Sequence, residues 1–158
     1  MKKDVTSEVK VREALHDDLE KVYEIETQSF KDPYSLTFLK FLYQANRRTY
    51  LVGERENVVI GYVIASIDRD MGHILSIAIS PLERRKKVGK RLMEVVLNIL
   101  YSIGAHVVRL EVRQSNIEAC KFYEDLGFQP SYTVQKYYGE EDAIIYFKTL
   151  SSTNKVCA

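Results

Sequence analysis

Glu111 is the first residue in the chain that invites a chemical reading. It lies inside the apolar run 107–112, Val-Val-Arg-Leu-Glu-Val, where a carboxylate is costly unless it has partners or a function. On an extended chain Val112 faces the other way, so Arg109 and Arg113 share the face of Glu111. An ion pair with either arginine is the plain alternative to a role as a general base. Tyr123 follows twelve residues later. Its hydroxyl can donate or accept a hydrogen bond, although Phe122 and Leu126 beside it would equally suit a core aromatic. A second constellation suits an anion. Residues 84–91 read Arg-Arg-Lys-Lys-Val-Gly-Lys-Arg and stand immediately before the strongest helical stripe of the chain. A helix N-terminus presents unpaired N–H groups and the positive end of its dipole, which together make a phosphate site. Gly89 removes a Cβ where backbone and ligand would approach closely. Arg84, Arg85, Lys86, Lys87, Lys90 and Arg91 add charge at the same point. The plain alternative is a solvated basic turn.

Two common phosphate motifs fail here. A Walker A loop needs a glycine where Arg84 stands and a Ser or Thr where Arg91 stands. The dinucleotide fingerprint lacks its glycines. His73 can face Glu111 from a neighbouring strand, as a satisfied structural histidine or as a second base. One His and one Glu are thin for a metal, and we assign no metal ligands. Cys120 and Cys157 have neither a metal-ligand spacing nor a disulfide framework.

The elements that must position these residues follow from periodicity. Val9–Arg12 alternates as a short strand. Leu15, Leu19, Val22, Tyr23 and Ile25 recur at helical spacing, and Asp32-Pro33 breaks that helix. Leu36 to Ala45 suggests a second helix. Tyr50–Gly53 and Val58–Ile67 read as a hairpin through Arg55-Glu56-Asn57. Ile74–Ile79 is a nearly continuous apolar run, which predicts a strand buried on both faces, and Val107–Val112 reads as another buried strand. Between them Val88, Leu92, Val95, Val96, Ile99, Leu100 and Ile103 form one helical stripe, closed by Gly104. Asn116 is a good N-cap for a helix ending near Gly127, with Glu118 favourable in its first turn. Val134–Tyr138 and Ala143–Phe147 predict a final hairpin. The order β-α-α-β-β-β-α-β-α-β-β describes a mixed sheet with helices on its faces.

Composition narrows the classes. The 158 residues fit one domain. We expect it to span 1–150, with 151–158 as a loose tail. Lys plus Arg is 23 and Asp plus Glu is 22, a balance that argues against a nucleic-acid binder. No apolar run reaches the roughly 20 residues of a membrane helix. The start, Met-Lys-Lys-Asp-Val-Thr, has no apolar segment behind it, so the expectation is a cytoplasmic protein.

Two stretches carry a resemblance. Pro81-x-x-Arg84-Arg85-Lys86-Lys87-Val88-Gly89 resembles the acetyl-CoA signature of the GNAT superfamily, Arg/Gln-x-x-Gly-x-Gly/Ala, with Lys87 at the usual first glycine. That lysine would either adopt a left-handed backbone or offer its ammonium to a phosphate. From Leu110 the chain reads Leu-Glu-Val-Arg-Gln-Ser-Asn-Ile-Glu-Ala-Cys-Lys-Phe-Tyr-Glu-Asp-Leu-Gly-Phe. This resembles most the ribosomal-protein-alanine and archaeal N-terminal acetyltransferases, as do Gly72-His73-Ile74 and Ser76-Ile77-Ala78-Ile79. The resemblance covers about Leu51 to Leu150 and, more weakly, the N-terminal helices.

The resemblance implies an α/β fold. This would be a single GNAT-type domain, with a central, mostly antiparallel mixed sheet of about six or seven strands flanked by about four helices. It implies acetyl-CoA as cosubstrate, held by the 84–90 segment, by backbone amides of Ile77, Ala78 and Ile79, and by Asn116 on the pantetheine arm. It implies Glu111 as base and Tyr123 as acid at the coenzyme sulfur, with direct transfer rather than an acetyl-Cys120 intermediate. The acceptor would be a protein or peptide N-terminus. Phe30 and Tyr34 of one loop, Tyr137 and Tyr138 of another, and His73 would lie near it. The hairpin tyrosines have a plain alternative as cross-strand pairs. Competing readings are acetylation of a lysine side chain or small amine, and a non-catalytic coenzyme-A-binding module. Ribosome association and oligomeric state are not legible in the chain.

Overall fold

A computed structural model of the chain describes residues 8–152. The end of the expected tail, with Cys157, lies outside them. Seven strands form one sheet in the order β1-β2-β3-β4-β5-β7-β6. They are β1 (Lys10–Glu13), β2 (Tyr50–Arg55), β3 (Val58–Asp68), β4 (Met71–Ile79), β5 (Val107–Arg113), β6 (Gln129–Val134) and β7 (Ala143–Thr149). The helices are α1 (Leu19–Ser29), α2 (Leu36–Ala45), α3 (Val88–Ser102) and α4 (Ile117–Asp125). β4 pairs with β5 in parallel, Met71–His73 against Val107–Arg109. The pairs β1–β2, β2–β3, β5–β7 and β6–β7 are antiparallel. The fold class and the order of elements are those the periodicity predicts.

The described chain clusters into two compact units. One runs up to Ala65 and takes in Ser76–Ile99; the other takes Ser66–Leu75 and the chain from Leu100 onward. In the first, Leu19, Val22 and Ile25 of α1 and Leu39 of α2 are fully buried. The β2–β3 hairpin turns through Glu56 and Asn57, both at positive φ (51° and 65°). That is the turn whose twist suits a two-residue hairpin. Gly61 of β3 is required by close approach. A Cβ there would lie 2.7 Å from Cδ1 of Ile79, 3.2 Å from the carbonyl oxygen of Ala78 and 3.3 Å from Leu92. Gly61→Ala is therefore expected to destabilise the fold by about 1–3 kcal/mol through overpacking, read as a lowered thermal midpoint.

In the second unit β5 pairs with β7 along its whole length, Val107↔Thr149 to Arg113↔Ala143. Gly104 ends α3 at φ 109°, the left-handed position that glycine fills at no steric cost.

Two expectations need correction. β4 and β5 are not buried on both faces. Ile74, Ser76 and Ala78 are buried while Leu75, Ile77 and Ile79 are half-buried; Val108, Leu110 and Val112 are buried while Arg109, Glu111 and Arg113 are not. The strict alternation puts the charges of β5 on one face. The last hairpin is also displaced. Its first strand is Gln129–Val134, and 135–138 form a turn. β6 ends the sheet, is exposed along almost its whole length, and carries Pro130. An edge strand tolerates proline and shows no apolar alternation.

Candidate active site

The basic segment 84–91 belongs to the first unit. After β4 the Ser80 N–H donates to the Ile60 carbonyl at 2.8 Å, and Pro81–Glu83 make a 3-10 turn. Arg84 donates from Nε to the Ile79 carbonyl at 3.0 Å and from Nη2 to Ser29 Oγ at 3.1 Å. Its guanidinium thus ties the end of β4 to the end of α1. Glu83 pairs with Arg55 at 3.6 Å and with Lys86 at 3.5 Å. Arg85 and Lys87 both take positive φ, 61° and 65°. The first turn of α3 carries no acidic residue. Arg85, Lys87 and Lys90 are exposed, Gly89 is half-buried, and the Val88 side chain is buried, so only the backbone of Val88 is available to a ligand. An anion such as a pyrophosphate fits this arrangement: a helix N-terminus with its positive dipole end, beside the exposed cations Arg85, Lys87 and Lys90.

The left-handed Lys87 makes a direct test. A non-glycine residue there costs of order 1–2 kcal/mol, and glycine returns part of that as unfolded-state entropy. Lys87→Gly is expected to stabilise the protein by about 0.5–1 kcal/mol and, by losing a cation, to weaken binding of a pyrophosphate anion several-fold. Thermal melts with and without pyrophosphate check both.

The second unit holds the polar cluster. Parallel pairing of β4 with β5 sets His73 opposite Arg109, and the pleat sets Glu111 on the face of Arg109. His73 Nε2 lies 2.7 Å from Glu111 Oε2. Arg109 Nε lies 3.4 Å from Glu111 Oε1, and Arg109 Nη2 lies 3.4 Å from His73 Nδ1. A guanidinium can only donate. Nδ1 is therefore the acceptor, and Nε2–H donates to Glu111. The imidazole has both nitrogens engaged. The ion pair between Glu111 and Arg109 is also present. The Glu111 side chain keeps 11% exposure, enough for a water to reach it. Tyr137 belongs to this group: burial pushes its hydroxyl above the ordinary tyrosine pKa, Glu111 adds to the shift, and Arg109 opposes it.

Asn116 caps α4, its side-chain oxygen accepting the Ala119 N–H at 3.1 Å. Tyr123, two turns along α4, packs edge-on against Phe122 and Phe128 at 5.1 and 5.9 Å between ring centroids. Burial pushes its phenol well above the ordinary range, with Tyr138 and Cys120 adding to the shift. Arg113 lies 4.3 Å over the Tyr138 ring and pairs with Glu141 at 3.3 Å. Glu141 also accepts the Ser115 N–H at 2.9 Å and the Ser115 hydroxyl. These hydrogen bonds and Arg113 hold its carboxylate below the ordinary range. The loop carrying Tyr137 and Tyr138 is thereby fastened to the turn just before Asn116. Cys120 is buried. Among the described residues no group of three or more His, Cys, Asp or Glu side chains could hold a metal ion.

The structure thus gathers His73, Glu111 and Tyr137 into one cluster, and Tyr123, Tyr138 and Asn116 around α4. Separately, it sets Phe30, Tyr34, Ile77–Ile79 and the 84–90 segment in the first unit. The sequence reading passed over Glu26, a buried carboxyl bonded to Tyr62 and Ser76. Its signal was helical spacing: Glu26 falls four residues after Val22 and seven after Leu19, on the buried face of α1. The Arg113–Tyr138 stacking and the Glu141–Ser115 bonds left no such signal.

Residues 19–128 match the family model described as Acetyltransferase (GNAT) family. The chain is 32% identical over 133 residues to the ribosomal protein bS18-alanine N-acetyltransferase of Escherichia coli, covering 81% of this chain and 88% of that one. It is 26% identical over 152 residues to the N-alpha-acetyltransferase of Sulfurisphaera tokodaii, covering 87% and 91%. The crystal structure of Ard1 from Thermoplasma volcanium matches it with a TM-score of 0.88 at 28% identity, over 91% of this chain and 99% of that one.

Proposed function

Because the chain belongs to the GNAT acetyltransferase family, with acetyl-CoA as its cosubstrate, we propose that it acetylates the α-amino group of a protein or peptide N-terminus. The observation that carries this reading is the carboxylate of Glu111, largely buried within β5 and held between His73 and Arg109. It is a weak base, and an N-terminal amine needs no more. An α-amino group has a pKa near 7.7–8.0, so a substantial share is neutral at physiological pH; a lysine, near 10.4, is almost wholly charged. Likeness along most of the chain to relatives named for N-terminal acetylation supports the same acceptor.

The roles divide by chemistry. The α3 N-terminus with Arg84, Arg85, Lys86, Lys87, Val88, Gly89 and Lys90 takes the phosphates of acetyl-CoA. Backbone amides of Ile77, Ala78 and Ile79 serve the pantetheine and the thioester oxygen, where fixed donors stabilise developing charge. Asn116 holds the pantetheine arm. Glu111 takes the amine proton through a water. Tyr123, kept protonated by burial, donates toward the departing sulfur. Phe30, Tyr34, Tyr137 and Tyr138 contact the acceptor's first residues, and His73 fixes the carboxylate. Holding amine and thioester together supplies much of the rate. A cytoplasmic location goes with this reading; among the described residues no helix is long and apolar enough to cross a membrane.

The test is transfer from labelled acetyl-CoA to short peptides that vary in their first two residues. Each is paired with a version blocked at the α-amine and carrying a free lysine. Labelling confined to free N-termini is expected. Labelling of the blocked peptides alone would move the acceptor to lysine, and labelling of neither would move it to a small amine or remove catalysis.

A further inference from the structure

We propose that Glu26 is a positioning residue for the acceptor: it fixes the loop bearing Phe30 and Tyr34 against the strand segment Ser76–Ile79. This rests on the reading that Phe30 and Tyr34 meet the acceptor and that Ile77–Ile79 meet the thioester.

Glu26 is 2% exposed, the only charged side chain classed as buried among the described residues. An apolar residue would occupy that face of α1 without the cost of desolvating a carboxyl. Its bonds show what the carboxyl adds. Oε2 accepts from the Tyr62 hydroxyl and, at 3.3 Å, from Ser76 Oγ; Tyr62 and Ser76 are themselves 3.1 Å apart. Oε1 accepts the backbone N–H of Tyr34 at 3.2 Å. The Glu26 carbonyl accepts the N–H of Phe30 at 3.1 Å. Both ends of the segment between α1 and α2 therefore close on this one residue. Burial pushes the carboxyl above the usual range, against the pull of these hydrogen bonds.

A second tie runs beside the first. Arg84 joins Ser29, at the end of α1, to the carbonyl of Ile79. Ser76 and Ile79 bracket Ile77 and Ala78, so the root of the loop is referenced to both ends of the segment assigned to the thioester. Without Glu26, Tyr62 and Ser76 can still share one hydrogen bond, with one of the two hydroxyl hydrogens left without an acceptor. The bond through which the carboxyl reaches the loop is the one to Tyr34.

The test uses the full chain with Glu26→Leu and Glu26→Gln. Leucine fills the site and removes a buried carboxyl but leaves one hydroxyl of the Tyr62–Ser76 pair without an acceptor, so the thermal midpoint is expected to move by a few degrees at most. Its Tyr34 amide should exchange with solvent about tenfold faster, and the peptide KM should rise about tenfold with kcat little changed. This is the loss expected for one hydrogen bond and the pattern of lost acceptor placement. The acetyl-CoA Kd should move less than about twofold. Glutamine keeps an oxygen for Tyr34 and should restore both readouts. Wild-type exchange at Tyr34 and wild-type peptide KM in Glu26→Leu would overturn the proposal, as would an equal loss of acetyl-CoA affinity. If the wild-type enzyme ignores peptides, the acceptor reading fails and the Tyr34 exchange alone decides the role of Glu26. Should Glu26→Leu not fold, Glu26→Ala is read in the same way.

Discussion

Tyr123→Phe is expected to lower kcat by about 10²–10⁴-fold, the range for a positioned general acid, while the acetyl-CoA Kd changes less than about twofold. The substitution removes one oxygen from a ring whose edge contacts with Phe122 and Phe128 remain. Binding and fold should therefore survive. The pH profile separates an acid from a packing residue. Burial holds the Tyr123 pKa above its ordinary value near 10, so the protonated form persists as pH rises through that value. The wild type should show no loss of kcat/KM from this group between pH 8 and about 10. Steady-state kinetics with a calorimetric Kd check the first point, and the alkaline profile the second. Full turnover by Tyr123→Phe would remove the assignment.

Glu111→Gln is expected to lower kcat/KM by about 10–10²-fold near pH 7, less than the acid, because the amine is already partly neutral. The deficit should shrink as pH rises past about 8, where solvent has removed the amine proton without help. Glutamine still offers an oxygen to His73 Nε2–H, so the cluster keeps its shape; what it loses is the proton acceptor and the charge facing Arg109. A deficit independent of pH would instead point to lost structure around Arg109. Pre-steady-state and steady-state rates across pH 6–9.5 decide between them.

The order of strands and helices was legible because most elements bury one face and so carry a period. α3 shows this best, with Leu92, Met93, Val96 and Leu100 wholly or almost wholly buried. β6 was misplaced because it buries almost nothing, and the aromatic pair Tyr137-Tyr138 beyond it has strand propensity but sits in a turn held by Arg113 and Glu141. β4 and β5 were read as buried twice over because hydrophobicity alone does not say whether an apolar side chain lies in the core or on a half-covered face. In the site, Glu111 announced itself as a charge within an apolar strand. Glu26 did not, because helices routinely carry carboxylates and only its angular position marked it. Lys87 was legible as a backbone problem, and its φ of 65° answers it. Pairings between residues far apart in sequence, such as Arg113 with Tyr138, have no local trace.

The fastening of Glu141 to Ser115 has a thermodynamic corollary. Ser115 adjoins Asn116, the proposed contact for the pantetheine arm, and Glu141 belongs to the loop that presents Tyr137 and Tyr138. Ordering the α4 cap and ordering that loop then draw on the same free energy. Whatever occupancy of one does to the affinity of the other must hold in reverse by the same factor. On the proposed roles, acetyl-CoA at the cap and an acceptor at the loop would favour each other's residence by one and the same factor.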